Sequence, residues 1–209
     1  MRIFKYIIAV AALLFVGYHS VYFQKLSEVR KAESGNDTDM EAYTRDFWDN
    51  KLPSSIESAI DVKELVALIK TQPEKAFAEH AHALGIGNLQ YFMVKGEGQI
   101  TAVNDNNVEL LIGRGDGSFK LRIETELVYG NSVRDASGLL NMNAFKNTSE
   151  FNEVSAGLNK IIRKEVLPPF KKRAKKGDVV RFTGAVELNS RFLKLDDMEV
   201  TPVQLQIVK

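Results

Sequence analysis

Apolar positions fall into three regimes along the chain. The first is an unbroken run, Tyr6 to Tyr18 (YIIAVAALLFVGY), preceded by Arg2 and Lys5 and prolonged by Val21-Tyr22-Phe23 before Lys25, Glu28 and Arg30. Residues 6–23 make about 18 positions, near the short end of what crosses hydrocarbon as a helix. No A-x-A pattern follows Val16, so residues 1–23 read as a retained signal anchor rather than a cleaved signal peptide. Cations ahead of a span keep the N-terminus cytoplasmic, which exports the remainder. The polar residues 24–38, broken at Gly35-Asn36-Asp37, read as a juxtamembrane stalk.

The second regime has helical spacing. Asp39 is placed to cap a helix over residues 41–51, with Tyr43, Phe47 and Trp48 recurring along it and Pro53 as its stop; Ser54 or Ser55 can cap a short helix next. Asp61 opens a stripe of Val62, Leu65, Val66 and Ile69, and Pro73-Glu74 start a further helix that Gly85 and Gly87 close. These segments predict a small helical subdomain over residues 39–88.

The third regime alternates. Tyr91 and Met93, then Ile100 and Ala102, mark one sheet face, and Val108–Ile112 forms the next strand. Leu121, Ile123, Thr125 and Leu127 then alternate with Lys120, Arg122, Glu124 and Glu126 up to Val128, with turns at residues 104–107 and 113–117. Helical spacing returns over residues 143–164, ending at Pro168-Pro169, and strands are predicted at residues 179–186, 192–195 and 203–208. The fold class is therefore α+β: an anchor helix, a helical subdomain and, over residues 89–209, an antiparallel OB-like β-barrel of five or six strands with an inserted helix. Closure is favoured because it removes exposed strand edges.

Charge and composition narrow the chemistry. With 28 basic and 27 acidic residues the net charge is +1, so no summed field draws the body to nucleic acid or anionic lipid. The absence of cysteine excludes disulfides, thiolate metal sites and a cysteine nucleophile within this sequence. His80 and His82 stand two apart, which on a helix points them away from each other, and no metal or other cofactor is expected. Arg114-Gly115-Asp116 reads as a tight turn, and the basic run Lys171-Lys172-Arg173 with Lys175-Lys176 as a solvated loop. No nucleophile–base pair stands out, and catalysis is not expected. The polar group singled out is Asn131-Ser132-Val133-Arg134-Asp135: Arg134 can grip a carboxylate or phosphate with two parallel hydrogen bonds, or pair with Asp135 to hold its own loop. Asn131, Ser132, Arg134 and Asp135 are the candidate ligand or partner contacts.

Scattered motifs carry a family resemblance. Val94-Lys95-Gly96-Glu97-Gly98-Gln99-Ile100, Gly130 with Arg134-Asp135-Ala136, Phe145, Leu158-Asn159, Gly184-Ala185 and Pro202-Val203 resemble domain of unknown function 2291, the predicted periplasmic lipoproteins, from about Tyr43 onward. The resemblance implies a helical subdomain joined to an α/β barrel-like domain in the bacterial envelope, often beside sugar ABC-transport components. No catalytic residue comes with it, and this chain departs from it in lacking a lipidated cysteine. The expected protein is single-pass in the inner membrane through residues 6–23, with a periplasmic body that binds a small solute or a transporter subunit and no nucleic acid. A glycan hydrolase is the alternative, and a nucleic-acid-binding barrel a third.

Overall fold

The computed structural model describes residues 39–83 and 87–208, together with Tyr6 and Phe15. Apart from those two residues, the anchor expected at 1–23 and the stalk at 24–38 lie outside the described residues. No helix among the described residues is long and apolar enough to cross a membrane. Residues 39–209 form one compact unit.

Asp39 caps the first helix: its carboxylate accepts from the backbone N–H of Glu41 and of Ala42, each at 3.0 Å. Helix α1 (Met40–Asp46) widens into a π-helical turn, Phe47–Lys51, and continues as α2 (Leu52–Glu57). Strand β1 (Ile60–Asp61) leads to α3 (Val62–Thr71) and α4 (Pro73–His80). Strands β2 (Leu89–Val103), β3 (Asn107–Ile112) and β4 (Phe119–Glu124) follow. Next come α5 (Ser132–Ala136), α6 (Thr148–Ile161), a second π-helical turn (Ile162–Val166) and α7 (Leu167–Lys171), then β5 (Val179–Asn189) and β6 (Glu199–Val208).

Several boundaries differ from the sequence expectation, each for a local reason. Pro53 and Pro168-Pro169 do not end their helices, because each stands in the first turn of a helical segment that follows a π-helical turn. Proline lacks an N–H and its ring crowds the carbonyl four residues back; the wide turn ahead of it relieves that conflict. Helix α6 starts at Thr148 because the Asn147 side chain accepts from the Glu150 N–H at 2.9 Å. Strand β4 stops at Glu124, leaving Leu127 exposed. No strand forms at residues 192–195: the Asn189 side chain accepts from the N–H groups of Arg191 (3.0 Å) and Phe192 (3.2 Å) and turns the chain.

The sheet order is β1-β2-β3-β4-β6-β5, and a further β2–β5 pairing returns the ladder to its start, so β2 to β6 form a ring. The ring is mixed rather than purely antiparallel, since β4 and β6 run parallel with Arg122 opposite Glu199, and the added β1 is parallel to β2. The long β2 closes the circuit by pairing with β5 along Leu89–Gln99 and with β3 from Gly98 onward. A side chain at Gly98 would meet Ile112 Cδ1 at 2.5 Å, so glycine permits the close approach of β3 there.

Two apolar clusters follow. Phe92, Val94, Leu110, Ile112, Leu121, Ile123 and Phe182 belong to the first, with Val62, Leu65, Val66 and Ile69 of α3 packed among them. Met93, Ala185 and Val203 bring the other side of the sheet into the second, against Phe47, Leu52, Phe151, Val154, Leu158 and Ile162. Each fully buried Phe or Leu contributes about 1.5–3 kcal/mol relative to exposure.

A second close strand contact lies at Gly184, where a Cβ would stand 2.5 Å from both the Thr201 carbonyl oxygen and Val200 Cγ1, beside the register shift between β5 and β6. Gly184→Ala is expected to destabilise the body by about 1–3 kcal/mol, whereas Gly117→Ala, with nothing within 4 Å of the added carbon, should shift it far less. Urea unfolding of the two variants checks this, and equal midpoints would show that β5 relaxes freely.

Candidate functional site

Arg134 and Asp135 lie inside the body, not on its surface. Their side chains are 5% and 7% exposed, and Arg134 Nε donates to Asp135 Oδ1 at 2.6 Å. Arg134 Nη1 donates to the Phe151 carbonyl and to Asn152 Oδ1, both at 3.2 Å, and the guanidinium lies over the Phe151 ring at 3.8 Å. Asn159 Nδ2 donates to the Gly130 carbonyl at 2.9 Å, and Arg163 donates to that of Val128. These bonds bind α5 and its preceding loop to α6. Asn131 is exposed and Ser132 half-buried, so of the four candidate contacts only these two reach solvent.

A rim of titratable groups borders this layer. Tyr91 stands opposite Glu187 in the β2–β5 ladder; burial first, then that carboxylate, pushes its hydroxyl up to about 12. Helix α4 ends at His80, and His82 lies beyond it in a bridge to Tyr91 (N···O 2.8 and 2.9 Å), so the two histidines do not share a helix as the sequence suggested. Desolvation lowers the His82 pKa. Glu124 Oε2 accepts from the Thr201 hydroxyl at 2.6 Å, yet burial raises its pKa above the ordinary carboxylate range.

The helices cover only part of the ring. Met93, Ala185 and Val203, on β2, β5 and β6, meet the helical layer, while outward side chains of β3 and β4 stay partly or fully exposed: Glu109, Lys120, Arg122 and Glu124. A pocket of about 210 Å³ opens on this face, lined by Glu109, Lys120, Leu121, Arg122, Asp196 and Met198. Lys120 Nζ lies 3.8 Å from Glu109 Oε2, and Arg122 Nε 3.8 Å from Glu199 Oε1. Charge-assisted hydrogen bonds span about 2.7–2.9 Å, so these are loose contacts, and partly exposed pairs of this kind are worth about 0–1 kcal/mol.

A larger groove of about 480 Å³ runs between α1 and α6. Several of its rim charges are closely paired: Arg45 bonds Glu165 at 2.7 Å and Asp49 at 2.9 Å, and Lys160 bonds Glu41 at 2.7 Å. The smaller pocket is the better candidate, since it opens on the sheet face the helices leave uncovered and its most exposed cation, Lys120, is only loosely paired. Sequence reasoning placed Lys120, Arg122 and Glu124 on one side of an alternating strand and singled out none of them, nor Asp196, as a contact. Nothing in a linear pattern shows that the chain after β5 returns Asp196 and Met198 beside Arg122, whose N–H bonds the Met198 carbonyl at 3.0 Å.

A mixed α+β body built on a ring of strands defines the class of fold, and comparison with solved structures agrees on that fold. An OB-fold protein from Thermotoga maritima MSB8 is similar with a TM-score of 0.73 and 25% identity, over 83% of this chain and all of that one. The chain belongs to the family of predicted periplasmic lipoproteins, domain of unknown function 2291, which matches residues 11–206. No curated relative matches.

Arg134→Ala leaves Asp135 buried without its partner and is expected to cost about 3–5 kcal/mol, seen as a large fall in melting temperature rather than the intact fold that a surface contact would allow. Because the folded-state pKa of Glu124 is raised, folding favours its protonated form, and its carboxylate costs stability once pH rises above the ordinary range toward neutrality. Glu124→Gln should therefore melt higher than the native chain at neutral pH, with the gain disappearing as acid protonates Glu124; a pH-independent difference would remove the assignment.

Proposed function

We propose that this chain is a non-catalytic periplasmic binding protein held at the inner membrane by a single N-terminal span. On this reading the ring is an OB-like barrel and its bare β3–β4 face is the binding face. Oligonucleotide- and oligosaccharide-binding barrels use the same part of the fold, their second and third strands, which correspond here to β3 and β4. One observation carries the proposal: Lys120, Arg122, Glu109 and Asp196 line a single pocket on that face, where Lys120 Nζ stands 3.8 Å from Glu109 Oε2. Such a set suits a small solute carrying both a positive and a negative group, the two of which displace the loose Lys120–Glu109 contact. A nucleic-acid strand fits poorly, because no aromatic platform lies among Asn107, Glu109, Lys120, Arg122 and Glu124, and three of those five would put carboxylates or an amide against phosphates.

Thermal-shift measurements on the full chain in detergent, against sugars, amino acids and short peptides, test the reading. A solute at about 100 times its dissociation constant adds roughly 2.7 kcal/mol. Lys120→Gln, at a site whose side chain is 69% exposed, should abolish that shift while leaving the unliganded melting temperature almost unchanged. A shift that survives Lys120→Gln puts the ligand elsewhere, and silence across the panel replaces the solute with a protein partner such as a transporter subunit.

A further inference from the structure

The turn after β5 carries Arg191-Phe192-Leu193-Lys194, a cation, two apolar residues and a second cation. Phe192 is 72% exposed and Leu193 37%, and Leu89, opposite Asn189 at the end of β2, is 46% exposed. Among the described residues neither Arg191 nor Lys194 has an ion-pair partner. The tip is also held in place. Besides the two bonds to the Asn189 side chain, the Phe192 N–H donates to the Asn189 carbonyl at 3.2 Å and the Ser190 N–H to the Asn88 carbonyl at 2.8 Å. The apolar pair is thus displayed by a turn with little freedom left to lose.

We propose that this turn docks on an anionic lipid surface, with Phe192 and Leu193 entering the boundary between headgroups and acyl chains and Arg191 and Lys194 meeting lipid phosphates. Charge selects this occupant. The turn sets two cations beside two apolar residues, while a polyanionic strand running on across the neighbouring sheet face would meet Glu109, Asp196 and Glu199, all on or beside the pocket. Each cation near an anionic surface adds roughly fivefold to binding, the equivalent of about 1 kcal/mol, and the apolar pair adds insertion. Membership of a periplasmic lipoprotein family places such a surface at hand. This inference is independent of what the β3–β4 pocket binds.

The native chain has no cysteine, so Leu193→Cys accepts one environment-sensitive fluorophore and keeps Phe192. The full chain is reconstituted into vesicles of phosphatidylcholine, with or without phosphatidylglycerol, and quenched with acrylamide, a neutral reagent. Protection and a blue shift are expected in the anionic vesicles only, with no change for a label at Asp116→Cys on the turn between β3 and β4. Arg191→Gln combined with Lys194→Gln should abolish the protection, and Lys120→Gln, which disables the pocket, should not. Equal quenching in both lipids overturns the proposal. Protection that survives loss of both cations also overturns it, and shows the tip covered by protein instead.

Discussion

Phe92, Met93 and Val94 are consecutive residues of one strand, and all three are buried. Side chains of a strand alternate between its two sides, so β2 needs apolar cover on both. The ring supplies one side, where Phe92 and Val94 meet Leu110, Phe182 and α3. Only a second layer can supply the other, and Met93 is met there by the helical segments from residues 40–57 and 132–171. Chain segments on either side of β2 to β4 are thereby committed to one surface, and most of the remaining architecture follows from placing them.

That commitment explains the buried ion pair. Helix α5 has five residues and cannot hold itself, since isolated helices shorter than about 12–15 residues are marginal in water. Arg134 supplies what propensity does not: a bond to Asp135, two to the α6 segment and a ring contact with Phe151. An apolar residue of similar volume would avoid the desolvation of two charges, but it would not satisfy the Phe151 carbonyl or fix where α5 sits on α6. The helical layer packs on β2, β5 and β6 and leaves β3 and β4 uncovered, which is why exposed charges such as Lys120 survive there.

Much of the fold was legible, and the misreadings share a cause. Asp39 as a cap, the Val62–Ile69 stripe and the alternation through β3 and β4 are local signals, each carried by a few neighbouring side chains. Pro53 and Pro168 are also local signals, yet both were overridden: burial of Phe47, Leu52, Ile162 and Leu167 in one cluster favours carrying the helix past the proline, and a wide turn makes that possible. The parallel β4–β6 pairing joins residues far apart in sequence and leaves no mark on either strand. Arg134 was visible as a residue of consequence, but its burial depends on Phe151 and Asn152 and so on where α6 packs. The pocket was the least legible feature, because Lys120, Arg122 and Asp196 look like ordinary solvent-facing charges until β6 brings the chain back alongside β4.

The family is one of predicted lipoproteins, and lipid attachment in such proteins uses a cysteine thiol. These 209 residues contain none, so on our reading membrane residence in this chain rests on side chains. On the proposed reading, the apolar span expected at residues 6–23 tethers the body to the bilayer at one point. A second, weak contact changes that without adding much affinity, because a tethered body meets the surface at high effective concentration. Two cations and two apolar residues are too few to hold a soluble protein on a membrane, but for one already tethered they are enough to bias which face looks outward. On the proposed reading the β3–β4 face gains from such a bias, since its ligand then meets it in one orientation rather than many.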